Sequence, residues 1–286
     1  MSVRLRSMMF VPSHRDRMVE RALAMEGLDA AILDLEDGVP IEEKPTGRTR
    51  LRDALARSST GPARFVRVNA PASGELDADL EAVVRPGLDG IVLPKVDTVA
   101  DLASALGSID AHERAAGMSP VAIVVSIESA RGLIAAPLLA AETRVSALLF
   151  GAEDFALDLG LPARREAEAS DLLYARSAVV VAATAARRLA IDGIWPDLDD
   201  EPGLRQDALR ARRLGFAGKS LIHPKQVAVI NECFTPDDRE LEEATRIVEE
   251  FERGRTVGRG AVALDGKLLD PPIVDRARRV LDARRK

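Results

Sequence analysis

Short apolar runs rich in β-branched residues alternate with longer Ala-, Arg- and Leu-rich stretches through most of this chain. The runs lie near 6–11, 30–35, 64–68, 90–93, 121–127, 145–150, 190–194 and 218–222, and read as strands. The stretches near 15–26, 44–56, 76–84, 98–108, 130–140, 170–188, 203–214 and 224–233 have helical character. Strands that alternate with helices indicate a parallel sheet, and eight units is the number that closes a (β/α)8 TIM barrel. An open doubly wound sheet is the runner-up. It needs no particular count and does not so readily explain the polar residues at nearly every strand end.

After the eighth unit the pattern changes. A charged helix is predicted near 236–253, followed by a glycine-rich stretch from Gly254 to Gly260. Asp265-Gly266 is a hairpin turn signal, and Pro271-Pro272 leads into a final helix near 273–284. The predicted division is a barrel over 1–234 and a C-terminal helical and hairpin extension over 235–286.

The polar strand ends turn the pattern into chemistry. The segments finish in Ser13-His14-Arg15, Asp34-Leu35-Glu36-Asp37, Arg67-Val68-Asn69, Pro94-Lys95, Glu128, Glu153-Asp154, Asp192 and His223. In this barrel the C-terminal rim carries the active site. Glu128 and Asp154 each stand just past an apolar run, 26 residues apart, about one strand-plus-helix unit. Neighbouring parallel strands lie about 4.8 Å apart, so both carboxylates emerge at one rim. Hard oxygen ligands there suit Mg²⁺, which takes one or two carboxylates and leaves positions for water and substrate. The bland alternative is a pair of helix-capping carboxylates. Glu36 and Asp37 form a third acidic strand end, placed to hold metal-bound waters; Asp37-Gly38 also reads as a plain acidic turn. Arg67 offers a planar guanidinium for a carboxylate or enolate oxygen, or for pairing with a rim acid.

Composition excludes several classes. The 286 residues are 47% hydrophobic and 30% charged, and the net charge is −6 with no basic tail, which argues against duplex nucleic acid as partner. A single cysteine, Cys233, leaves no disulfide framework and no CxxC metal site. No apolar stretch is long enough to span a bilayer and no signal peptide is evident, so a cytoplasmic location is expected. The Gly215–Ser220 segment has the wrong glycine spacing for a phosphate loop. No nucleophile elbow appears.

The ordered set Phe10-Val11-Pro12, Ile32 to Asp37, Arg67-Val68-Asn69, Val92-Leu93-Pro94-Lys95, Ile127 to Gly132, Phe150 to Asp154 and Ile222-His223-Pro224 resembles the citrate lyase β-subunit-like branch of the HpcH/HpaI aldolase superfamily. That branch includes malyl-CoA and citramalyl-CoA lyases. The resemblance implies a (β/α)8 barrel with Mg²⁺ on Glu128 and Asp154, and Arg67 against the 2-oxo acid or enolate. It implies CoA along the first strand and helix at Phe10, Arg17 and Arg21, with Arg15 a further candidate and Lys44, Ile222 and His223 weaker ones. Asp270 matches a lid aspartate that enters the active site of a neighbouring subunit, which implies a homo-oligomer built from trimers. Many citrate lyase β subunits end before this lid, so its presence favours free CoA thioesters over a carrier protein. The family usually shows Gly-Asn where this chain has Ser13 to Arg17.

The implied activity is Mg²⁺-dependent carbon–carbon cleavage or synthesis of a carboxylated 3-hydroxyacyl-CoA, such as malyl-CoA or citramalyl-CoA, with an acyl-CoA and a 2-oxo acid as the other partners. Alternatives are a citrate lyase β subunit in a complex, a Mg²⁺ aldolase without CoA, and a non-catalytic CoA-binding barrel.

Overall fold

Parallel pairing runs in chain order around a closed ring of eight strands. They are β1 (Ser7–Pro12), β2 (Ala30–Asp34), β3 (Ala63–Arg67), β4 (Gly90–Leu93), β5 (Ala122–Ile127), β6 (Val145–Phe150), β7 (Leu189–Asp192) and β8 (Gly218–Leu221). The ring closes where β8 returns to β1, with Ser7 opposite Lys219. This computed structural model describes residues 4–58, 60–162, 170–256 and 262–285. The inward side chains of alternate positions, among them Met8, Ile32, Phe65, Val92, Val124, Leu149 and Ile191, form one buried cluster that fills the ring. The barrel is therefore a packed core, and chemistry is confined to its rim.

Helices α1 (Asp16–Leu23), α2 (Lys44–Ala56), α3 (Leu76–Val83), α4 (Val99–Ala115), α5 (Ala130–Ala141), α6 (Ala152–Asp158), α7 (Leu173–Ala185), α8 (Glu201–Leu214) and α9 (Gln226–Phe234) follow the strands. Two differ from the sequence pattern. The fourth continues past Gly107, whose Cα faces open space, and ends only before Gly117, where a φ of 63° breaks it. The short α6, over Ala152–Asp158, is absent from the pattern because seven residues carry too little periodicity to register.

Asp192 also departs from expectation. It ends β7 but turns away from the rim into a buried ionic group. Arg176 on α7 bonds Asp192 at 2.7 Å and Asp207 on α8 at 2.8 Å, and the Lys219 ammonium reaches both carboxylates at 2.6 Å. Two cations and two anions balance, so none is left buried without a partner, the case that is strongly destabilising. The group fastens α7 and α8 to β7 and β8; it is a structural use of a strand-end acid.

The chain forms two compact units, Met1–Asn231 and Glu232–Lys286. The second holds α10 (Asp238–Thr256), the antiparallel pair β9 (Val262–Leu264) and β10 (Lys267–Leu269), and α11 (Pro271–Arg285). The hairpin turns at Asp265-Gly266, both at positive φ, as its sequence signal requires. Arg246 on α10 holds Asp265 at 2.7 Å, and Arg278 on α11 holds Glu252 at 2.6 Å. Gly254 belongs to α10; the rest of the glycine-rich stretch, from residue 257, lies outside the described residues. Among the described residues no helix is long and apolar enough to cross a membrane.

Candidate active site

Asp34, the last residue of β2, organises one side of the rim. Its buried carboxylate accepts the main-chain N–H groups of Glu36 and Gly38, each at 2.9 Å. It also takes Arg67 in a two-point contact, Nε at 2.7 Å and Nη2 at 2.6 Å. Strand register places the two residues directly opposite, Asp34 beside Arg67. Arg67 Nη1 lies 3.1 Å from Glu36, and the guanidinium stacks over the Phe10 ring, 4.7 Å from its centroid. Burial opposes the charge, but Asp34 and Glu36 outweigh it and raise the Arg67 pKa further. The guanidinium is thus permanently cationic and held in one orientation.

The opposite side is built by β4, β5 and β6. Glu128 follows β5 and is buried. Its Oε2 accepts the N–H of Lys95 at 2.9 Å. Gly151, between β6 and α6, stands so close that a Cβ there would lie 2.2 Å from Glu128 Cγ. No larger residue fits without displacing the carboxylate. Asp154 sits in the first turn of α6, and Asp158 at its end accepts the Ala130 N–H of α5 at 2.8 Å, tying the short helix down. A cavity of about 300 Å³ opens among these groups, lined by Phe10, Asp34, Arg67, Glu128, Asp154 and Ser220, with Met18, Phe150 and Ile222 among its apolar walls.

Burial, and then the charge of Glu36, push the Glu128 carboxyl up to about 7. Burial also raises Glu36, against the opposing pull of Arg67 and Lys95. A buried carboxylate short of positive charge beside a second carboxylate fits a divalent cation. Asp34, Glu36, Asp37, Glu128 and Asp154 outnumber Arg67 and Lys95. Among the described residues no group of three or more His, Cys, Asp or Glu side chains is arranged to hold a metal. Two carboxylates, Glu128 and Asp154, suit an ion that keeps water and substrate in its remaining positions, as Mg²⁺ does.

The raised carboxyl has a measurable consequence in metal-free protein. Glu128 binds its proton more tightly folded than unfolded. Its contribution to stability is complete below the ordinary value of 4.5 and is lost as pH rises through about 7. Glu128→Gln does not titrate. The unfolding free energy of the wild type relative to this variant is expected to fall between pH 4.5 and pH 8, measured by urea denaturation in EDTA. A flat difference would contradict the assigned environment.

The other predicted residues are distributed unevenly. Phe10 and Ile222 line the cavity. His223 Nδ1 accepts the Lys225 N–H at 3.1 Å. Arg15, Arg17 and Arg21 are exposed on or beside α1. Lys44 is not available to CoA: its ammonium is buried and donates to the Leu35 and Glu36 carbonyls and to Asn69 Oδ1. That carry-over is corrected; the residue clasps β2 to the end of β3. Glu36 is buried against Arg67 and Lys95, whereas Asp37 is exposed and meets Lys95 at 2.9 Å. Asp270 belongs to the second unit, where its Oδ1 accepts the Ile273 N–H at 3.0 Å and caps α11. Asp34 and Lys95, both inside the quoted motifs, were not singled out by sequence reasoning, although an acid at the residue facing Arg67 is the signal that would find the first.

Comparison with known proteins agrees with this geometry. Residues 6–224 match the family model described as HpcH/HpaI aldolase/citrate lyase. The citrate lyase subunit beta of Escherichia coli K12 is 38% identical over 280 residues, covering 96% of this chain and 92% of that protein. The mitochondrial citramalyl-CoA lyase of Homo sapiens is 30% identical, covering 95% of this chain and 83% of that protein. A crystal structure of CitE from Mycobacterium tuberculosis, in complex with magnesium, acetoacetate and coenzyme A, superposes with a TM-score of 0.80 at 30% identity, covering 98% of both chains. One expectation falls. The E. coli citrate lyase subunit is matched over 96% of this chain, which leaves too few residues outside the match to exclude the hairpin. The C-terminal extension therefore does not separate CoA lyases from citrate lyase subunits.

Proposed function

Because the chain belongs to the HpcH/HpaI aldolase/citrate lyase family, we propose that it is a Mg²⁺-dependent carbon–carbon lyase or synthase acting on a carboxylated 3-hydroxyacyl-CoA of the malyl-CoA or citramalyl-CoA type. The observation that carries this reading is the convergence of Glu128, Asp154 and Arg67 on one rim cavity. Glu128 and Asp154 would hold the ion. Bound Mg²⁺ supplies Lewis-acid polarisation of the 2-oxo carbonyl.

The chain's own groups supply the rest. In the condensing direction the Asp270 carboxylate takes the α-proton of the acyl-CoA, and the carbanion so formed attacks the carbonyl carbon of glyoxylate or pyruvate. Arg67, already aligned by Asp34, donates to the oxygen on which charge develops. In cleavage the 3-hydroxyl proton leaves to solvent as the carbon–carbon bond breaks and the carbonyl forms, and protonated Asp270 gives its proton to the departing acyl-CoA carbon. Phe10, Arg15, Arg17, Arg21, Ile222 and His223 are the proposed CoA contacts. Asp270 acts from a neighbouring subunit, most naturally within a trimer or a dimer of trimers, and the enzyme works in the cytoplasm.

The test is a product screen: acetyl-CoA and propionyl-CoA against glyoxylate and pyruvate, with Mg²⁺. At least one pair is expected to give a carboxylated 3-hydroxyacyl-CoA, and the same product is expected to be cleaved in reverse. The 38% identity to a citrate lyase subunit beta supports a second reading, citryl-carrier-protein cleavage within a complex. Turnover of a citryl thioester on its carrier protein, with none on any free CoA thioester, would select it.

A further inference from the structure

Lys95, just past β4, has no part in the reaction as proposed, yet its backbone is unusual. Its φ of 53° lies in the left-handed region. Residues with a Cβ are disfavoured there by about fivefold or more, and glycine or asparagine adopts the region more readily. Lysine has neither advantage.

The turn places three contacts on one residue. The Lys95 N–H meets Glu128 Oε2 at 2.9 Å. The Lys95 ammonium meets Glu36 Oε1 at 2.6 Å and Asp37 Oδ2 at 2.9 Å. One residue thus ties the acidic end of β2 to the carboxylate that follows β5. The ammonium contacts account for lysine at a position whose backbone favours a smaller residue.

The effect on Glu128 is directional. With Oε2 fixed on the β4 side, Oε1 lies on the β6 side, where a Cβ built on Gly151 would stand 2.9 Å from it. Asp154 lies three residues beyond Gly151, in the first turn of α6, and lines the same cavity as Glu128 and Gly151. We propose that Lys95 is a positioning residue: its left-handed main chain locks Oε2 of Glu128 so that Oε1 is presented toward Asp154 as half of a divalent-cation site. This rests on the reading of Glu128 and Asp154 as the cation ligands.

The test is a substitution series, Lys95→Gly, Lys95→Asn, Lys95→Ala and Lys95→Val, titrated with Mn²⁺ and followed by the EPR signal of free Mn²⁺. All four lack the ammonium, so differences among them report on the backbone. The Mn²⁺ Kd is expected to be lowest for Gly and Asn, higher for Ala, and about tenfold higher for Val than for Gly. Thermal midpoints are recorded in parallel. A turn with only a structural role would order the midpoints and leave the four Kd values equal, and equal values overturn the proposal. If the Val variant does not fold, the Gly and Ala variants carry the comparison, with an expected difference of about fivefold. Wild type and Glu128→Gln separate the two layers. Folded wild type that binds no Mn²⁺ removes the ligand assignment and this inference with it. Wild type that binds, a Glu128→Gln that does not, and a flat Lys95 series leave the ligand assignment standing and remove only the role of Lys95.

Discussion

Glu128→Gln or Asp154→Asn is expected to weaken Mg²⁺ binding and lower turnover by at least ~10²-fold, because Lewis-acid stabilisation is worth several kcal/mol. Each substitution keeps the shape of the side chain and removes its charge. Glu128 is buried and one of its oxygens already receives a main-chain N–H, so glutamine can keep that contact through its carbonyl oxygen. Stability should survive for a second reason. The packed interior of Met8, Ile32, Phe65, Val92, Val124, Leu149 and Ile191 lies inside the ring and does not depend on the rim. Mg²⁺ affinity by calorimetry, set beside turnover, is the measurement. Wild-type affinity together with wild-type rate in either variant would rule out the pair.

Asp270→Asn should abolish exchange of the acetyl-CoA α-protons with D₂O while Mg²⁺ and CoA still bind. A general base of this kind contributes roughly 10²–10⁴-fold. The substitution is cleaner than alanine for a structural reason. Asp270 Oδ1 accepts the Ile273 N–H at the start of α11, and asparagine caps a helix as well as aspartate does. The helix is kept and only the charge of the carboxylate is lost. The subunit that supplies Asp270 is decided by mixing inactive Asp270→Asn chains with inactive Glu128→Gln chains under conditions that exchange subunits. Partial return of activity is expected, since some interfaces then pair an intact cation site with an intact aspartate. No recovery after verified exchange would mean that Asp270 acts within its own chain or not at all.

The barrel was legible because its strands are short, mostly buried and bounded by polar residues, so that each apolar run ends within two residues of a strand's end. The observed limits of β5, Ala122–Ile127, and β6, Val145–Phe150, fall within a residue of the pattern. Two kinds of information were not legible. Local periodicity says nothing about a seven-residue helix, so α6 was missed although it carries Asp154. Nor does a strand-end acid reveal which way it turns. Asp34 faces Arg67 and serves the cavity wall, whereas Asp192 meets Arg176 and Lys219 in the protein interior. That choice is made by partners distant in sequence, as is the burial of Lys44 against Leu35, Glu36 and Asn69. Lys95 shows the same limit at the backbone level, since nothing in Val92-Leu93-Pro94-Lys95 announces a left-handed residue.

The seam of the ring sets a condition on how the molecule is made. Ser7 pairs with Lys219 and Met9 with Leu221, so the first strand waits for a partner more than two hundred residues behind it on the ribosome. During that interval every partly made sheet carries two open edges, and open edges recruit other chains. The contacts that end this exposure join the far ends of the barrel, the kind of non-local pairing that slows folding. Freedom from edges belongs to the closed ring alone, and a crowd of nascent chains at one messenger shares the hazard until each has released its eighth strand.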